Sequence, residues 1–497
     1  MSMPRARQRR FWQIRPVLLL VMTAILCLAV LMVNRGPLYY YDTGSYIYQG
    51  NVALDMILPA STEDDGAGAE RSDADDDDTT SGSRSLIYGM IVALFVRAGF
   101  ISGVAVLHLA ITLLAAGVAV SAARRYLDPP PNAVGLLTVP LLAAAVTSLP
   151  FYIAYVMPDI FAPVLLIAIA ALAAFGRKMT FPELALAFAL AALAVVVHPS
   201  HMAVAGLMVP AVFLAALFQR APARWRASVL VIMVVFVALA ERRVFEFAAE
   251  NVANKEVTYT PHITARLIVD GPGLDYLNAT CPDHQVPTCA LHEALSWSND
   301  PYRLTVSHII FERSPQLGSF RLMTPEDQRL VALSQRDFFV RVLLSRPFGT
   351  SYAFTENAFH QMMRYSIQMT IPTEQMMDNA RQLSGLNEGR HDLQGGRLAT
   401  NRGWIERIDT VHGIIYLISF GVIVALLGWP RSLPCELKLF ALFLLIGIAV
   451  NALVCGGVSQ PADRYGARVM WLLPFSATFL VLSLPHLGMR SVSGGRP

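Results

Sequence analysis

The chain has 497 residues, 55% of them hydrophobic and only 15% charged, and its mean hydropathy is +0.48. That balance excludes an ordinary soluble globule and points to a polytopic membrane protein. The formal net charge of +3 carries little by itself; the information lies in where each sign falls along the chain.

Apolar runs able to cross roughly 30 Å of hydrocarbon as helices lie at 16–34, 101–122, 133–150, 158–175, 182–198, 201–218, 226–242, 411–429, 436–455 and 467–486, about ten spans in all. The first follows Arg5, Arg7, Arg9, Arg10 and Arg15 and resembles a signal peptide. Its apolar run is long, however, and no convincing small-residue cleavage site follows, so it is read as an anchor. With the basic N-terminus in the cytoplasm, the loops assigned inside carry Arg124, Arg125, Arg177, Lys178, Arg220, Arg224, Arg226, Arg431, Lys438, Arg490 and Arg496. The short loops assigned outside, Ser148 to Pro158 and His198 to Ser200, carry no Lys or Arg. An even number of spans places both termini inside.

The first outer segment, 34–100, has three parts. Tyr39-Tyr40-Tyr41-Asp42-Thr43-Gly44-Ser45-Tyr46 sets a carboxylate among tyrosines at the membrane surface, where the aromatics read equally as a sugar site or as an interfacial belt. Ser61 to Arg84 is an acidic Gly/Ser-rich tract whose composition reads as disordered. A calcium loop is the sharper reading of that tract, but its central Gly and terminal Glu are missing and Arg84 stands where the Glu belongs. Leu86 to Ala98 is apolar but too short to span, which suits a helix lying at the interface or re-entering the bilayer.

Further along, Met157-Pro158-Asp159 opens the fourth span. Pro and an acid in a first turn are good helix-start chemistry as well as a candidate site. His198-Pro199-Ser200-His201 joins the fifth and sixth spans; two imidazoles there suit a phosphate, or simple polar capping, and are too few for a metal site alone. The segment 243–410 has the length of one domain. Within it Thr324-Pro325-Glu326-Asp327 predicts a helix running to about Ser345. Cys281 and Cys289, in an extracytoplasmic segment, are free to form a local disulfide, whereas Cys27, Cys435 and Cys455 read as apolar packing residues. Asn278-Ala279-Thr280 matches the glycosylation triplet, a pattern common by chance. The last outer turn, Gln460 to Arg468, breaks the charge rule: Arg464 and Arg468 are unfavourable at an outer helix start unless an anion, such as a lipid phosphate or Asp463, sits beside them.

The order of one span, a first loop with an early Asp, an apolar surface helix, a Pro-Asp outer turn, a large outer domain and a late Arg-Tyr turn resembles the GT-C membrane glycosyltransferases, such as protein O-mannosyltransferases and lipid A aminoarabinose transferases. The resemblance implies a mainly α, polytopic fold with three parts: a transmembrane module over 1–242, an extracytoplasmic domain over 243–410, and a second transmembrane module over 411–497. It puts Asp42 at the family's first-loop catalytic acid, Ser85 to Tyr88 at the start of the surface helix and Arg464-Tyr465 at the late basic turn. The segment containing VDGPGLDYLNATCP is similar to segments of bacterial membrane proteins, which implies a bacterial cytoplasmic membrane.

The implied reaction moves a sugar from a polyprenyl-phosphate carrier to a glycan, lipid or protein acceptor outside that membrane, with membrane lipid as a partner and no nucleic acid. No Walker A or Rossmann glycine pattern argues for a nucleotide donor. Asp42 would be the base. Arg464, Arg468, His198 and His201 would meet the donor phosphate, and Tyr41, Tyr46, Tyr88, Asp159 and Tyr465 would contact substrate. Displacement with one base predicts inversion. Asp42 has no adjacent second carboxylate, so no metal ligands are assigned and use of a divalent cation stays open. Competing readings are a lipid-linked glycan flippase or transporter, and a glycan polymerase or ligase; against transport, the spans carry few interior charges and no inverted repeat is evident.

Overall fold

The computed structural model describes residues 5–57, 79–128, 130–218, 223–252, 254–282, 285–296, 305–314, 317–384, 393–429 and 433–484. The described chain is mainly helical. It opens with α1 (Arg5–Cys27), which breaks at Leu28 into α2 (Ala29–Asn34), followed by α3 (Tyr41–Ile57). After a short strand β1 (Thr79–Ser81) come α4 (Leu86–Arg97), α5 (Gly103–Ala123), α6 (Ala133–Ala145), α7 (Leu149–Ala154), α8 (Phe161–Phe175), α9 (Phe181–Val196), α10 (Pro199–Phe218) and α11 (Arg226–Asn251). The segment after α11 holds β2 (Glu256–Thr258), α12 (His262–Val269), α13 (Pro272–Thr280), α14 (Thr288–Leu295), α15 (Val306–Phe311), α16 (Pro325–Ser345), α17 (Pro347–Met362), α18 (Glu374–Ser384) and α19 (Arg397–Thr400). The chain then returns to the bundle with α20 (Ile405–Gly428), α21 (Cys435–Val458), α22 (Asp463–Met470) and α23 (Leu472–Leu482).

Six helical stretches among the described residues are long and apolar enough to cross a membrane: Gly103–Tyr126, Pro158–Phe175, Pro199–Phe218, Ile405–Gly428, Cys435–Val458 and Asp463–Leu482. They support a multi-pass membrane protein and match six of the ten expected spans; the other four runs take different forms. The run at 16–34 is interrupted at Leu28, and the run at 133–150 is cut at Val146 before α7. The run at 182–198 gives only the short apolar helix Phe181–Val196. The run at 226–242 lies within α11, a 26-residue helix whose second half carries Glu241, Arg242 and Arg243. Composition alone does not register such breaks, because a turn of two or three residues barely lowers a windowed hydropathy.

Local signals elsewhere set the elements as expected. Thr324 caps α16 by accepting from the Asp327 amide, and the helix ends at Ser345. Ser85 caps α4 by accepting from the Tyr88 amide. Cys281 and Cys289 form a disulfide that joins the end of α13 to the start of α14. The acidic tract lies outside the described residues over 61–78, but its last residues correct the disordered reading. Thr79, Thr80 and Ser81 pair in parallel with Glu256, Val257 and Thr258, the Gly82 amide donates to the Thr258 carbonyl, and Ser83 Oγ lies 2.8 Å from Thr260 Oγ1.

Two apolar cores result. The larger is built on the bundle and takes in Ile367, Ile371, Met377 and Ala380 from the stretch leading into and through α18; the smaller lies within 265–342 and includes Leu267, Leu291, Ile309, Val331 and Phe338. Glycines set the closest approaches, as expected where lipid offers helices no hydrophobic drive to associate and contact distance decides. A Cβ at Gly44 would collide with the Ala380 carbonyl of α18, and one at Gly50 with the Gly89 carbonyl of α4. Gly50→Ala is therefore expected to destabilise the fold by about 1–3 kcal/mol through overpacking, read as a lower unfolding temperature in detergent. An unchanged transition would mean that α3 and α4 are not held this close.

Candidate active site

The site starts from a backbone pairing. Leu38 forms a parallel bridge with Tyr155: its amide donates to the Ala154 carbonyl at 2.8 Å, and its carbonyl accepts from the Val156 amide at 2.8 Å. The Thr43 hydroxyl accepts from the Tyr40 amide at 2.9 Å, starting α3, and also donates to the Val156 carbonyl at 3.2 Å. These bonds lay the tyrosine stretch against the Met157-Pro158-Asp159 turn. As a result Asp42, in the first turn of α3, and Asp159, at the entry to α8, face the same guanidinium.

That guanidinium belongs to Arg464. It lies 2.8 Å from Asp159 through Nη2 and 3.6 Å from Asp42 through Nη1, with Nε donating to both Asp159 oxygens at 3.0 and 3.1 Å. Arg468, one turn on, donates to Asp159 at 3.3 Å and to Asn451 Oδ1 at 2.8 Å, and its Nη2 lies 3.2 Å from Cys455 Sγ and 3.5 Å from Ser200 Oγ. The backbone of α22 is fastened in turn by Tyr152 Oη donating to the Arg464 carbonyl at 2.6 Å and Ser148 Oγ donating to the Ala467 carbonyl at 2.6 Å. Asn451 Nδ2 adds a bond to the Tyr465 carbonyl at 2.8 Å. Arg464 and Arg468 are buried, as is Asp159. Ions removed from water persist only when paired and hydrogen-bonded.

On the other side of Asp42 stands Arg84, whose Nη2 donates to Asp42 Oδ1 at 2.8 Å. Asp42 keeps 32% of its side chain exposed, so it faces an opening although protein surrounds it on most sides. Burial pushes its carboxyl up, but Arg84 and Arg464 outweigh that effect and hold it below the usual carboxylate range. The group is therefore ionised at neutral pH, and its ion pairs are lost only as pH falls through that lowered value.

Aromatic rings line the guanidiniums. Arg464 lies 4.7 Å over the Tyr40 ring, 5.6 Å over Tyr465 and 5.9 Å over Tyr155, and Arg468 lies 5.2 Å over Tyr465. Tyr41 is half-buried, edge-on to Tyr40. Tyr46 and Tyr88 stand apart: both are buried, edge to face at 5.1 Å, with Tyr88 Oη 3.5 Å from His108 Nε2. They support α3 and α4 from within rather than facing the opening.

The histidine turn reaches the site through Ser200. His198 Nδ1 accepts from the Ser200 amide at 3.2 Å and lies 2.8 Å from its hydroxyl, so Nε2 carries the hydrogen of the neutral ring. Burial, then Arg468, Arg464 and His262, push His198 well below its ordinary range. His201 is buried, lies 5.0 Å from His198 ring to ring, and donates from Nδ1 to the Ala194 carbonyl at 2.7 Å. Its Nε2 has no hydrogen-bond partner among the described residues. His262, from α12, is pushed down to about 4 by burial, with Asp42 opposing and Arg84 adding. His262 thereby brings the 243–410 segment near Asp42 and Arg84.

The structure thus brings Asp42, Asp159, Arg464, Arg468, Tyr41, Tyr465 and the His198/His201 turn to one end of the bundle, and places Tyr46 and Tyr88 beneath it. Arg84, Tyr40, Tyr155, His262, Asn451 and Cys455 join them without having been singled out in the sequence. Arg84 had a readable signal, as a cation closing an acidic tract immediately before a Ser cap. Asn451 and Cys455 had none beyond polarity within a span. Among the described residues no group of three or more His, Cys, Asp or Glu side chains is placed to hold a metal ion; both carboxylates are engaged by arginine.

Removing one partner of a buried pair leaves the other charge uncompensated, at a cost of about 3–5 kcal/mol. Arg464→Met is expected to lower unfolding stability on that scale, and Asp159→Asn with Arg464→Met to recover part of the loss. Strict additivity in this double-mutant cycle would show that the pair is not coupled. Comparison with protein-family models, with curated proteins and with solved structures finds no match to this chain.

Proposed function

We propose that the chain is a membrane glycosyltransferase that moves a sugar from a polyprenyl-phosphate donor to an acceptor hydroxyl, with inversion. In this reading the site lies on the outer face of a bacterial cytoplasmic membrane, both termini are cytoplasmic, and the 243–410 segment is extracytoplasmic. The observation that carries the proposal is the composition of the cluster: three guanidiniums, Arg84, Arg464 and Arg468, meet two carboxylates, Asp42 and Asp159. One positive charge is left over, the complement of a phosphodiester.

The residues divide the work. The acceptor oxygen attacks the anomeric carbon, the bond from that carbon to the donor phosphate oxygen breaks, and the acceptor proton passes to Asp42. The leaving phosphate gains a second negative charge, which Arg464 and Arg468 stabilise where water is excluded. Asp159 is turned into the two arginines and acts through them as a positioning residue. Tyr40, Tyr41 and Tyr465 flank the sugar; His198 offers its Nε2–H to the phosphate, while His201, whose ring hydrogen is committed to the Ala194 carbonyl, stands behind it. A carboxylate held ionised is always ready to accept, which suits an oxocarbenium-like transition state in which the acceptor proton leaves late.

Reconstituted protein given labelled polyprenyl-phosphate sugar should release free carrier lipid. Asp42→Asn should slow release about 10²–10⁴-fold while the protein stays folded. Normal turnover in that variant would end the base assignment, and passage of intact donor across the bilayer without cleavage would replace transfer by transport.

The pH profile gives a separate test. Because Asp42 is held low and His262 is pushed to about 4, kcat/KM should show no acid limb above about pH 4 from either group. A limb centred near pH 6–7 that survives Asp42→Asn would assign the proton acceptor to another residue.

A further inference from the structure

The helix α17 has two contrasting faces. One is locked to the site end of the bundle. Asn357 and Phe354 lie where Cβ atoms at Gly456 and Gly457 of α21 would collide with them. Gln361 exchanges two hydrogen bonds with the backbone of Ala462, at 2.8 and 2.9 Å, and the Arg364 carbonyl occupies the space a side chain at Gly466 would need.

The other face has no protein against it among the described residues. Phe348, Tyr352 and Phe359 are 89%, 67% and 60% exposed, and Met362 and the adjoining Met363 are exposed beside them. At 3.6 residues per turn these five positions fall within an arc of about 100°. The only other residue centred in that arc is Thr355, while Glu356, His360 and Arg364 lie to one side of it.

The contacts of the buried face fix the depth of this stripe. Gly456 and Gly457 are in the last turn of α21, and Ala462 and Gly466 are at the start of the Asp463–Leu482 span. The helix is therefore held level with the ends of two membrane-crossing segments. The chain that follows α17 packs on the first turns of α20: Tyr365 against Gly413, and Ser366 and the Ile367 amide on Asp409. There Val411, Ile414, Leu417 and Ile418 are exposed on the surface of another candidate span.

We infer that α17 lies in the headgroup layer of the bilayer, with Phe348, Tyr352, Phe359, Met362 and Met363 inserted among the lipid acyl chains. Aromatic and thioether side chains on one arc with polar groups at its margin suit that layer, where one side is apolar and the other wet. The occupant is membrane lipid. The inference rests on the membrane-spanning helices alone and stands or falls independently of the transfer reaction.

Phe359→Trp and Tyr352→Trp, made separately in the full chain and reconstituted in phosphatidylcholine vesicles, report the surroundings of the stripe; His360→Trp reports its margin. The added fluorescence at 359 and 352 should be quenched by lipids brominated in their acyl chains and shielded from aqueous iodide, with the reverse order at 360. Quenching of 359 and 352 by iodide but not by bromolipid would overturn the inference in favour of a solvent-facing surface. Shielding from both, at a protein-to-lipid ratio where crosslinking shows dimers, would overturn it in favour of a second copy of the chain.

Discussion

The structure depends on keeping five charges paired where water is scarce. Arg464 holds Asp42 and Asp159 together, Arg468 closes on Asp159 from one side and Arg84 on Asp42 from the other. Each of these groups has lost hydration that only its partners replace. Because they come from the first turn of α3, the residue before the Ser85 cap, the entry to α8 and both turns of α22, the cluster requires four chain segments far apart in sequence to arrive together. Apolar packing in a bilayer constrains helix register weakly, since lipid tails are as apolar as a neighbouring helix. A mispaired register would strand a buried ion, and that penalty makes the observed arrangement specific.

The same network explains why Asp42, and not Asp159, is the carboxylate that remains partly open. Asp159 is enclosed by two arginines and neighbouring rings, whereas Asp42 shares Arg464 at 3.6 Å and takes its closer bond from Arg84. Arg84 is held from a different direction: β1 pairs with β2, and Ser83 accepts from the Thr260 amide at 2.9 Å. The first loop and the 243–410 segment are therefore tied to each other beside the one accessible carboxylate, with His262 from that segment close enough to feel both Asp42 and Arg84.

Much of the cluster was legible in the sequence because each member violates a local expectation. Two arginines at an outer helix start and an acid among tyrosines conflict with topology or hydropathy unless they find partners, and they do; the acid after Pro158 also suits a helix start and joins them. Thr324 and the Cys281/Cys289 spacing were legible for another reason, since caps and short disulfide loops are decided within a few residues. Arg84 was legible only as a cation before a Ser cap; its role lies in Asp42, a residue 42 positions away. Tyr46 and Tyr88 are substrate contacts only by the family resemblance. Whether a tyrosine lines an opening or packs beneath it depends on the rotation of α3, and here Gly50 against Gly89 turns both rings inward. The short helices at 133–145 and 181–196 were hidden for the reverse reason: apolar turns leave no polar mark.

Depth connects the charged cluster to the membrane. Gly466, which accommodates the Arg364 carbonyl at the end of α17, lies between Arg464 and Arg468 in sequence. The guanidiniums and the C-terminal end of α17 therefore occupy nearly the same level. If the exposed stripe of that helix rests among acyl chains just below the headgroups, Arg464 and Arg468 stand close to the level at which a lipid carries its phosphate. A lipid-linked donor then needs little vertical displacement to bring its phosphate to the arginines, while its polyprenyl chain stays in hydrocarbon. That coincidence of levels supports a lipid-borne substrate over a soluble one, and it follows from glycine contacts rather than from any property of the charged residues themselves.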